Sequence, residues 1–337
     1  MTIYTDVDAV TSIVTRKGVS QFINELIVYL TEDFRLWPTF DKSARTAAHS
    51  DVGVIELMPI ANDSQFAFKY VNGHPNNERH ALPTVMAFGV LAEVETGYPI
   101  LLSELTLTTA LRTAATSVMA ARLLARNNSE VMALIGCGAQ SEFQAIAFNA
   151  LLGIKRIKYF DIDDNAMAKF KDNLSSIPGL TLIPCKSAEE ACIDVDIITT
   201  VTADKKYATI ITPDMVAPGV HINGVGGDCP GKTEIAKGVL LQADIFVEYE
   251  PQSRVEGDIQ QLDATDKVTE LWQVLTGEAK GRTNEQQITF FDSVGFALED
   301  YSALRLIAKL AREFNVGEPL ALIPDFNDPK DLFAFVK

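Results

Sequence analysis

The sequence predicts an α/β chain in two parts, a doubly wound parallel-sheet domain beside a mixed α+β domain. Three observations carry that reading. Apolar strands alternate with helical patterns from Thr113 to about Leu310. A Gly-x-Gly-x-x-Ser turn, Gly136 to Ser141, joins one of those strands to a helix, and residues 1–112 show a different pattern, one long helix followed by short strands. Alternation of strand and helix implies a parallel sheet covered on both faces, whereas strands joined by short turns imply antiparallel pairing.

Taken in order, the first part has a helical segment at Val19–Phe34 and strand-like pieces at Gly53–Pro59, Phe66–Val71, Thr84–Val94 and Pro99–Glu104, the last two joined through Glu95-Thr96-Gly97. A segment rich in Ala, Leu and Thr, Thr106–Leu124, has helical spacing and carries the chain onward. The second part runs Val131–Ile135, helix Ser141–Leu152, Arg156–Asp161, helix Asn165–Leu174, Thr181–Pro184, Asp196–Thr200, His221–Val225 and Ile245–Tyr249. After the apolar run Ile288–Phe291, a helix at Glu299–Phe314 is expected to return to the first part. The expected division is residues 1–112 with 312–337 against residues 113–311. An unpaired edge of the first sheet would offer a dimer seam.

The glycine turn carries chemistry. Gly136 permits the tight turn, Gly138 lets backbone approach a pyrophosphate, and the helix that follows offers free N–H groups to the anion. With a strand before, a helix after and Asp161 ending the next strand, the turn reads as a Rossmann-type dinucleotide site. Asp161 favours NAD over NADP, since a carboxylate accepts from a ribose 2′-hydroxyl and repels a 2′-phosphate.

A second cluster, Val225-Gly-Gly-Asp-Cys-Pro-Gly-Lys-Thr-Glu234, follows a strand and puts Asp228 at a carboxyl edge where open α/β sheets bind ligands. Asp228 either faces a substrate or caps a helix starting near Lys232. Gly226 to Thr233 also matches the phosphate-loop pattern literally, but Pro230 removes an N–H from the cradle and Asp228 would set a negative charge among phosphates. In the first part Arg45, Lys69 and Arg112 stand in apolar or weakly polar settings. Such cations can clamp a carboxylate, or serve as structural ion pairs. Alternation sets Lys69 on one strand face with Ala67 and Val71. Glu56, within Val-Ile-Glu-Leu-Met, either exchanges protons with an amine or lies on an outer face.

Composition narrows the partners. The chain of 337 residues carries a formal charge of −16 and has 47% hydrophobic residues, enough for real cores but with no basic stripe for nucleic acid. No apolar run approaches the ~18 residues of a membrane span, and the four cysteines have neither CxxC spacing nor a histidine set. The four histidines lack ligand spacing, so no metal is expected, and a cytoplasmic protein with reduced thiols is.

At these residues the chain resembles the ornithine cyclodeaminase/mu-crystallin family, and within it the bacterial cyclodeaminases. The phrases that carry the resemblance are Asp41-Lys-Ser-Ala-Arg45, Gly53-Val-Ile-Glu-Leu-Met-Pro59, Phe68-Lys-Tyr-Val-Asn-Gly-His-Pro75, Leu101-Leu-Ser-Glu-Leu-Thr106, Ala110-Leu-Arg-Thr-Ala-Ala-Thr116, Gly224 to Glu234 and Phe291-Asp-Ser-Val-Gly-Phe-Ala-Leu-Glu-Asp300. The resemblance implies a homodimer whose first domain binds an amino-acid substrate and mediates dimerisation beside a Rossmann domain holding NAD. It further implies that Arg45, Lys69 and Arg112 hold the substrate carboxylate, that Asp228 is the acid/base, and that Val294 lines the pocket. Lys69 and Glu56 are left as candidates for the α-amino proton. Cofactor contacts implied are Thr84, Arg112, Ala139, Gln140, Asp161, Thr202, Val225, Gly226, Gly227, Asp228, Lys232 and Ser293, beside Gly136 and Gly138. The implied reaction converts L-ornithine to L-proline and ammonia with NAD returned unchanged. An NAD-dependent amino-acid dehydrogenase, a ketimine reductase and a non-enzymatic crystallin-like binding protein are the alternatives the resemblance leaves open.

Overall fold

A computed structural model describes residues 1–203 and 209–337, apart from the side chain of Glu78. The chain opens with β1 (Thr2–Thr5), α1 (Val7–Lys17) and α2 (Val19–Arg35), followed by β2 (Asp41–Lys42), β3 (Thr46–His49), β4 (Val54–Ala61), β5 (Gln65–Gly73), β6 (Ala87–Glu93) and β7 (Pro99–Glu104). Helix α3 (Thr106–Leu124) leads into β8 (Val131–Ile135), α4 (Ser141–Leu152), β9 (Arg156–Phe160), α5 (Asp164–Leu174), β10 (Thr181–Pro184), α6 (Ala188–Cys192) and β11 (Ile197–Thr200). Then come β12 (His221–Gly224), α7 (Lys237–Leu240), β13 (Asp244–Val247), α8 (Glu250–Glu256), β14 (Thr269–Glu270), α9 (Leu271–Thr276), β15 (Thr289–Asp292), α10 (Ala297–Phe314) and β16 (Glu318–Leu320).

Two eight-stranded sheets result. The first, ordered β16-β1-β7-β6-β5-β4-β2 with β3 also paired to β4, is antiparallel except where β1 lies parallel to β7. Its alternation is strict on β4 and β5, which sends Met58, Ile60, Ala67, Lys69 and Val71 to the inner face. Helix α10 lies on that face, and α2 packs against α10 and α3, burying Phe22, Ile23, Leu26, Ile27, Leu30 and Phe34, the stripe expected of an amphipathic helix. The outer face is a different surface. Register sets Pro59, Phe68, Val90, Leu102 and Tyr4 in one row across five strands, and Leu57, Tyr70 and Phe88 in the next, with Tyr70 stacked on Phe88 at 5.0 Å. Leu57 is 46% exposed and Phe88 42%. Ile55 and Phe66 add to this patch, which stays partly exposed among the described residues.

The second sheet is parallel throughout, in the order β10-β9-β8-β11-β12-β15-β13-β14. From β8 the chain winds one way through β9 and β10, then back through β11 and β12, so strand order reverses between β8 and β11. Every residue of β8 is buried, as covering both faces requires. Most expected boundaries agree within a few residues. Five elements of the first part, β1, α1, β2, β3 and β16, have no counterpart in the pattern read from the sequence. Asp6 supplies an N-cap to α1 by accepting from Ala9 N at 2.9 Å, a local signal that the strand residues of β1 directly before it obscure.

The expected divisions fall inside helices. Residues 112 and 113 lie in the middle of α3, and residue 311 lies near the end of α10. Helix α10 packs against α2, β4, β5 and β6, so it joins the first sheet from Ala297 onward. Its first turn thereby enters the seam between the two sheets. Among the described residues no helix is long and apolar enough to cross a membrane.

Candidate functional site

The carboxyl edge of the parallel sheet gathers most of the residues singled out in the sequence. Gly136, Gly138, Ala139 and Gln140 follow β8, Asp161 follows β9, Thr202 follows β11, Val225 to Asp228 follow β12, and Ser293 and Val294 follow β15. Gly136 has φ of +101°, and a Cβ there would meet the Val201 carbonyl carbon at 2.9 Å, so only glycine fits. At Gly138 a Cβ would meet nothing within 4 Å. That emptiness is where an incoming phosphate group can approach backbone. No side chain caps α4, whose first-turn N–H groups face the same opening. Asp161 is held by Cys137 N at 2.6 Å and Asp163 N at 2.9 Å, which points its carboxylate back over the glycine turn. This edge fits a dinucleotide. Thr84 stands apart in the loop between β5 and β6, where its carbonyl accepts from His74 N at 2.9 Å.

The cluster after β12 is not a phosphate loop. No helix begins at Lys232; the next one, α7, starts at Lys237. The Glu234 carboxylate instead fills the space against Gly226, where phosphate would lie, and it accepts from both Thr202 N, at 3.2 Å, and Thr202 Oγ1. Buried Lys232 reaches Thr202 O and Asp228 Oδ1, each at 3.2 Å. Asp228 is therefore anchored by a cation and not by a helix terminus. Its side chain is 53% exposed, open to the cleft.

Opposite this edge the three cations from the first part converge. Arg45 lies between β2 and β3, Lys69 on the inner face of β5 and Arg112 on α3, yet each is held in place by residues that come late in the chain. Arg45 donates to Val294 O at 2.7 Å and Gly295 O at 2.6 Å, and pairs with Glu56 at 3.0 Å and with Glu256 of α8 at 3.0 Å. Lys69 pairs with Asp300 at 2.8 Å, and Arg112 with Glu299 at 2.5 Å and Asp300 at 3.2 Å. Lys69 fits under the sheet because its strand neighbour on β6 is Gly89. Glu56 lies inside, on the buried face, rather than on the outer one.

Gly295 is the knot of this arrangement. Its φ is +76°, a Cβ would strike Arg112 Nη1 at 2.6 Å, and its carbonyl takes both Arg45 and Gln252 Nε2, the latter at 2.8 Å. Arg112 Nη2 makes no hydrogen bond among the described residues and remains available to a ligand.

Burial and like charges tune these groups. Burial works against the Arg45 charge, but Glu56, Glu256 and Asp228 outweigh it and hold the guanidinium above its ordinary value. Burial first, then repulsion from Arg112, brings Lys69 down to about 8 despite Asp300. Glu256 is pushed up to about 7 by burial, with Arg45 opposing and Glu56 and Asp228 adding to the rise. By contrast His221, buried and hydrogen-bonded to Thr289 and Asn223, is pushed down to about 3 and is a neutral core residue.

Sequence reading did not find the acids Glu248, Glu256, Glu299 and Asp300, nor Gln252. The signal was present in part. Glu299 and Asp300 open an otherwise amphipathic helix on its buried side, where charge without a partner is costly.

Fold and site together define an α/β protein in which a dinucleotide-type sheet edge faces a buried cluster of three cations and their paired acids. A model of the ornithine cyclodeaminase/mu-crystallin family matches residues 7–315, and the chain belongs to this family. It is 55% identical over 333 residues to an ornithine cyclodeaminase of Agrobacterium tumefaciens, covering 99% of this chain and 93% of that one. Among solved structures it is similar to a lysine cyclodeaminase described with L-lysine, L-ornithine and L-2,4-diaminobutyric acid (TM-score 0.90, 28% identity, 98% of each chain). It is also similar to an archaeal alanine dehydrogenase dimer with bound NAD (TM-score 0.87, 30% identity, 96% of this chain and 99% of that one).

Proposed function

We propose that this protein cyclodeaminates L-ornithine to L-proline and ammonia, using NAD without net consumption. The observation that carries the reading is the convergence of Arg45, Lys69 and Arg112 opposite an exposed Asp228, with Arg45 near enough to feel the Asp228 charge. The full-length likeness to an ornithine cyclodeaminase at 55% supports this over an amino-acid dehydrogenase, the likeness to which is at 30%. Gly136 to Gln140, Asp161, Thr202, Val225 to Gly227, Lys232 and Ser293 would hold NAD, with Thr84 and Arg112 at its edges. Bound there, NAD would supply reversible hydride chemistry for the substrate.

The chain's own groups do the rest. Arg112, with Nη2 unpaired, and Lys69 and Arg45 beside it take the α-carboxylate, and so fix which way the Cα–H bond points. Asp228 accepts a proton from the δ-ammonium and frees the amine that closes the five-membered ring. Lys69, brought down to about 8, and Glu56, across Arg45 from the substrate, handle the α-nitrogen proton. Val294 lines the pocket, with its carbonyl fixed by Arg45. Enclosure by Gly295 and α10 keeps water from the oxidised carbon, where it would otherwise release a keto acid.

The same reading includes a homodimer joined through the outer face of the first sheet. The rows Pro59 to Tyr4 and Leu57 to Phe88 form a continuous apolar surface of the kind that marks subunit contact, and a second copy is its natural complement. The expected location is the cytoplasm, in proline supply. Cys137, Cys185 and Cys192 are buried thiols whose burial raises them above the ordinary range, so they resist oxidation.

The deciding assay gives the purified protein L-ornithine with substoichiometric NAD+. Proline and ammonia should form in many-fold excess over NAD+ with no steady build-up of NADH. Stoichiometric NADH would make it a dehydrogenase, and no turnover of any diamino acid would end the enzymatic reading. For the dimer, Leu57→Glu should give monomers by analytical ultracentrifugation; a dimer unchanged by that charge would place the seam elsewhere.

A further inference from the structure

Beneath the cation cluster lie two acids that no expected role uses. Glu248, just after β13, and Glu299, in the first turn of α10, are both 0% exposed. Glu248 Oε1 accepts from Ser293 Oγ at 2.9 Å and Gly295 N at 3.3 Å, while Oε2 has no hydrogen-bond partner among the described residues. Glu299 Oε2 takes Arg112, and Oε1 has no hydrogen-bond partner. Two sealed acids therefore each present one idle oxygen, and each lacks a donor to satisfy it.

The neighbouring groups leave few alternatives. Asp292, at the end of β15, has both oxygens occupied by Asp258 N and Ile259 N. Asp300 is engaged by Lys69 and Arg112. From α3 and β5 the charges facing this pocket are Arg112 and Lys69; from β13, β15 and α10 they are Glu248, Asp292, Glu299 and Asp300. Full ionisation would leave four carboxylates against two cations without water. One proton halves that excess, and held between the two acids it would satisfy both idle oxygens.

We propose that Glu248 and Glu299 share a single proton, Glu248 as the carboxylic acid donating to Glu299, and that the pair positions Ser293 and Arg112 for the reaction. Burial and the Glu299 charge push Glu248 up to about 8, and burial raises Glu299 as well, which accords with one proton held through neutral pH. Glu248 is thus a positioning residue. It fixes Ser293 beside the cofactor edge, and through Glu299 it fixes the guanidinium of Arg112 beside the substrate. This part rests on the cyclodeaminase reading, whereas the shared proton itself does not.

The test is infrared spectroscopy of the full-length protein, following the C=O stretch of protonated carboxylic acids against pH. Wild type should show a band that disappears as pH rises through about 8. E248Q should lack that component, and in E299Q, where the negative neighbour is gone, Glu248 should lose its proton at lower pH. Lys69 titrates in the same range but has no carbonyl band; Glu256 and Asp258, each raised to about 7, and Asp292, raised by burial and the Asp258 charge, do have one, so the Glu248 component is read as the difference between wild type and E248Q. In ornithine turnover at pH 7, E248A should lose tenfold or more in kcat/KM and E248Q should recover most of that loss, because the amide still accepts from Ser293 and donates to Glu299. An unchanged band in E248Q, or in E299Q if E248Q does not fold, overturns the shared proton. Equal impairment of folded E248A and E248Q overturns the positioning role. A wild type that binds NAD but never turns over ornithine would instead fail the functional reading, and the infrared result would still stand or fall alone.

Discussion

The two walls of the cleft are built in opposite ways. On the parallel-sheet side the working groups are mostly backbone: Gly136 and Gly138, the uncapped first turn of α4, and Val225 to Gly227 after β12. Facing it, the working groups are side chains, all buried and each neutralised by an acid from far along the chain, Arg45 by Glu256, Lys69 by Asp300 and Arg112 by Glu299. Apart from Gly136, where a Cβ would strike the Val201 backbone, the open wall can be remade by local substitution with little cost to folding. A closed wall cannot, because removing one partner strands a charge out of water.

That contrast makes predictions, ordered here by expected size. Asp228→Asn keeps the open wall's shape but removes a proton acceptor, so proline formation should fall by about 10²–10⁴-fold with NAD affinity nearly unchanged; a fully active variant would remove Asp228 from the chemistry. Glu299→Leu should cost about 3–5 kcal/mol of stability by leaving Arg112 undercompensated, read as a lower urea midpoint. An unchanged midpoint would mean that the closed wall does not depend on its pairs. Gly136→Ala should lower the melting temperature, since φ of +101° and the Val201 carbonyl leave no room. Gly138→Ala should leave melting alone and weaken NAD binding, measured by nucleotide fluorescence; equal effects of the two would erase the distinction between them. The smallest expected change is Asp161→Ser, which should shift the NAD/NADP affinity ratio by about tenfold, and an unaltered ratio would show that the acid does not face the ribose.

The same contrast explains what could be read from the sequence. The glycine turn, its strand and helix, and Asp161 lie within 31 residues of chain, from Val131 to Asp161, and each follows from local rules of turn and helix geometry. Strand alternation was enough to put Lys69 on one face with Ala67 and Val71, and the structure turns that face inward. Alternation could not show that Arg45, Lys69 and Arg112 meet, because the meeting is arranged by Glu256, Gly295, Glu299 and Asp300, nearly two hundred residues on. Nor could it choose between a buried and an exposed Glu56, since one residue of register reverses the two faces. The literal phosphate-loop match failed for a tertiary reason too: Glu234 folds back against Gly226.

The run from Ser293 to Asp300 touches both walls, with Ser293 at one end bound to Glu248 and Glu299 and Asp300 at the other bound to Arg112. A nucleotide settling at one end and an amino acid at the other thus press on a single short strut. Linkage then requires reciprocity, whatever tightening the first visitor confers on the second being matched in full by the second on the first. Titrating either ligand in the presence of the other would expose that mutual grip, carried by eight consecutive residues.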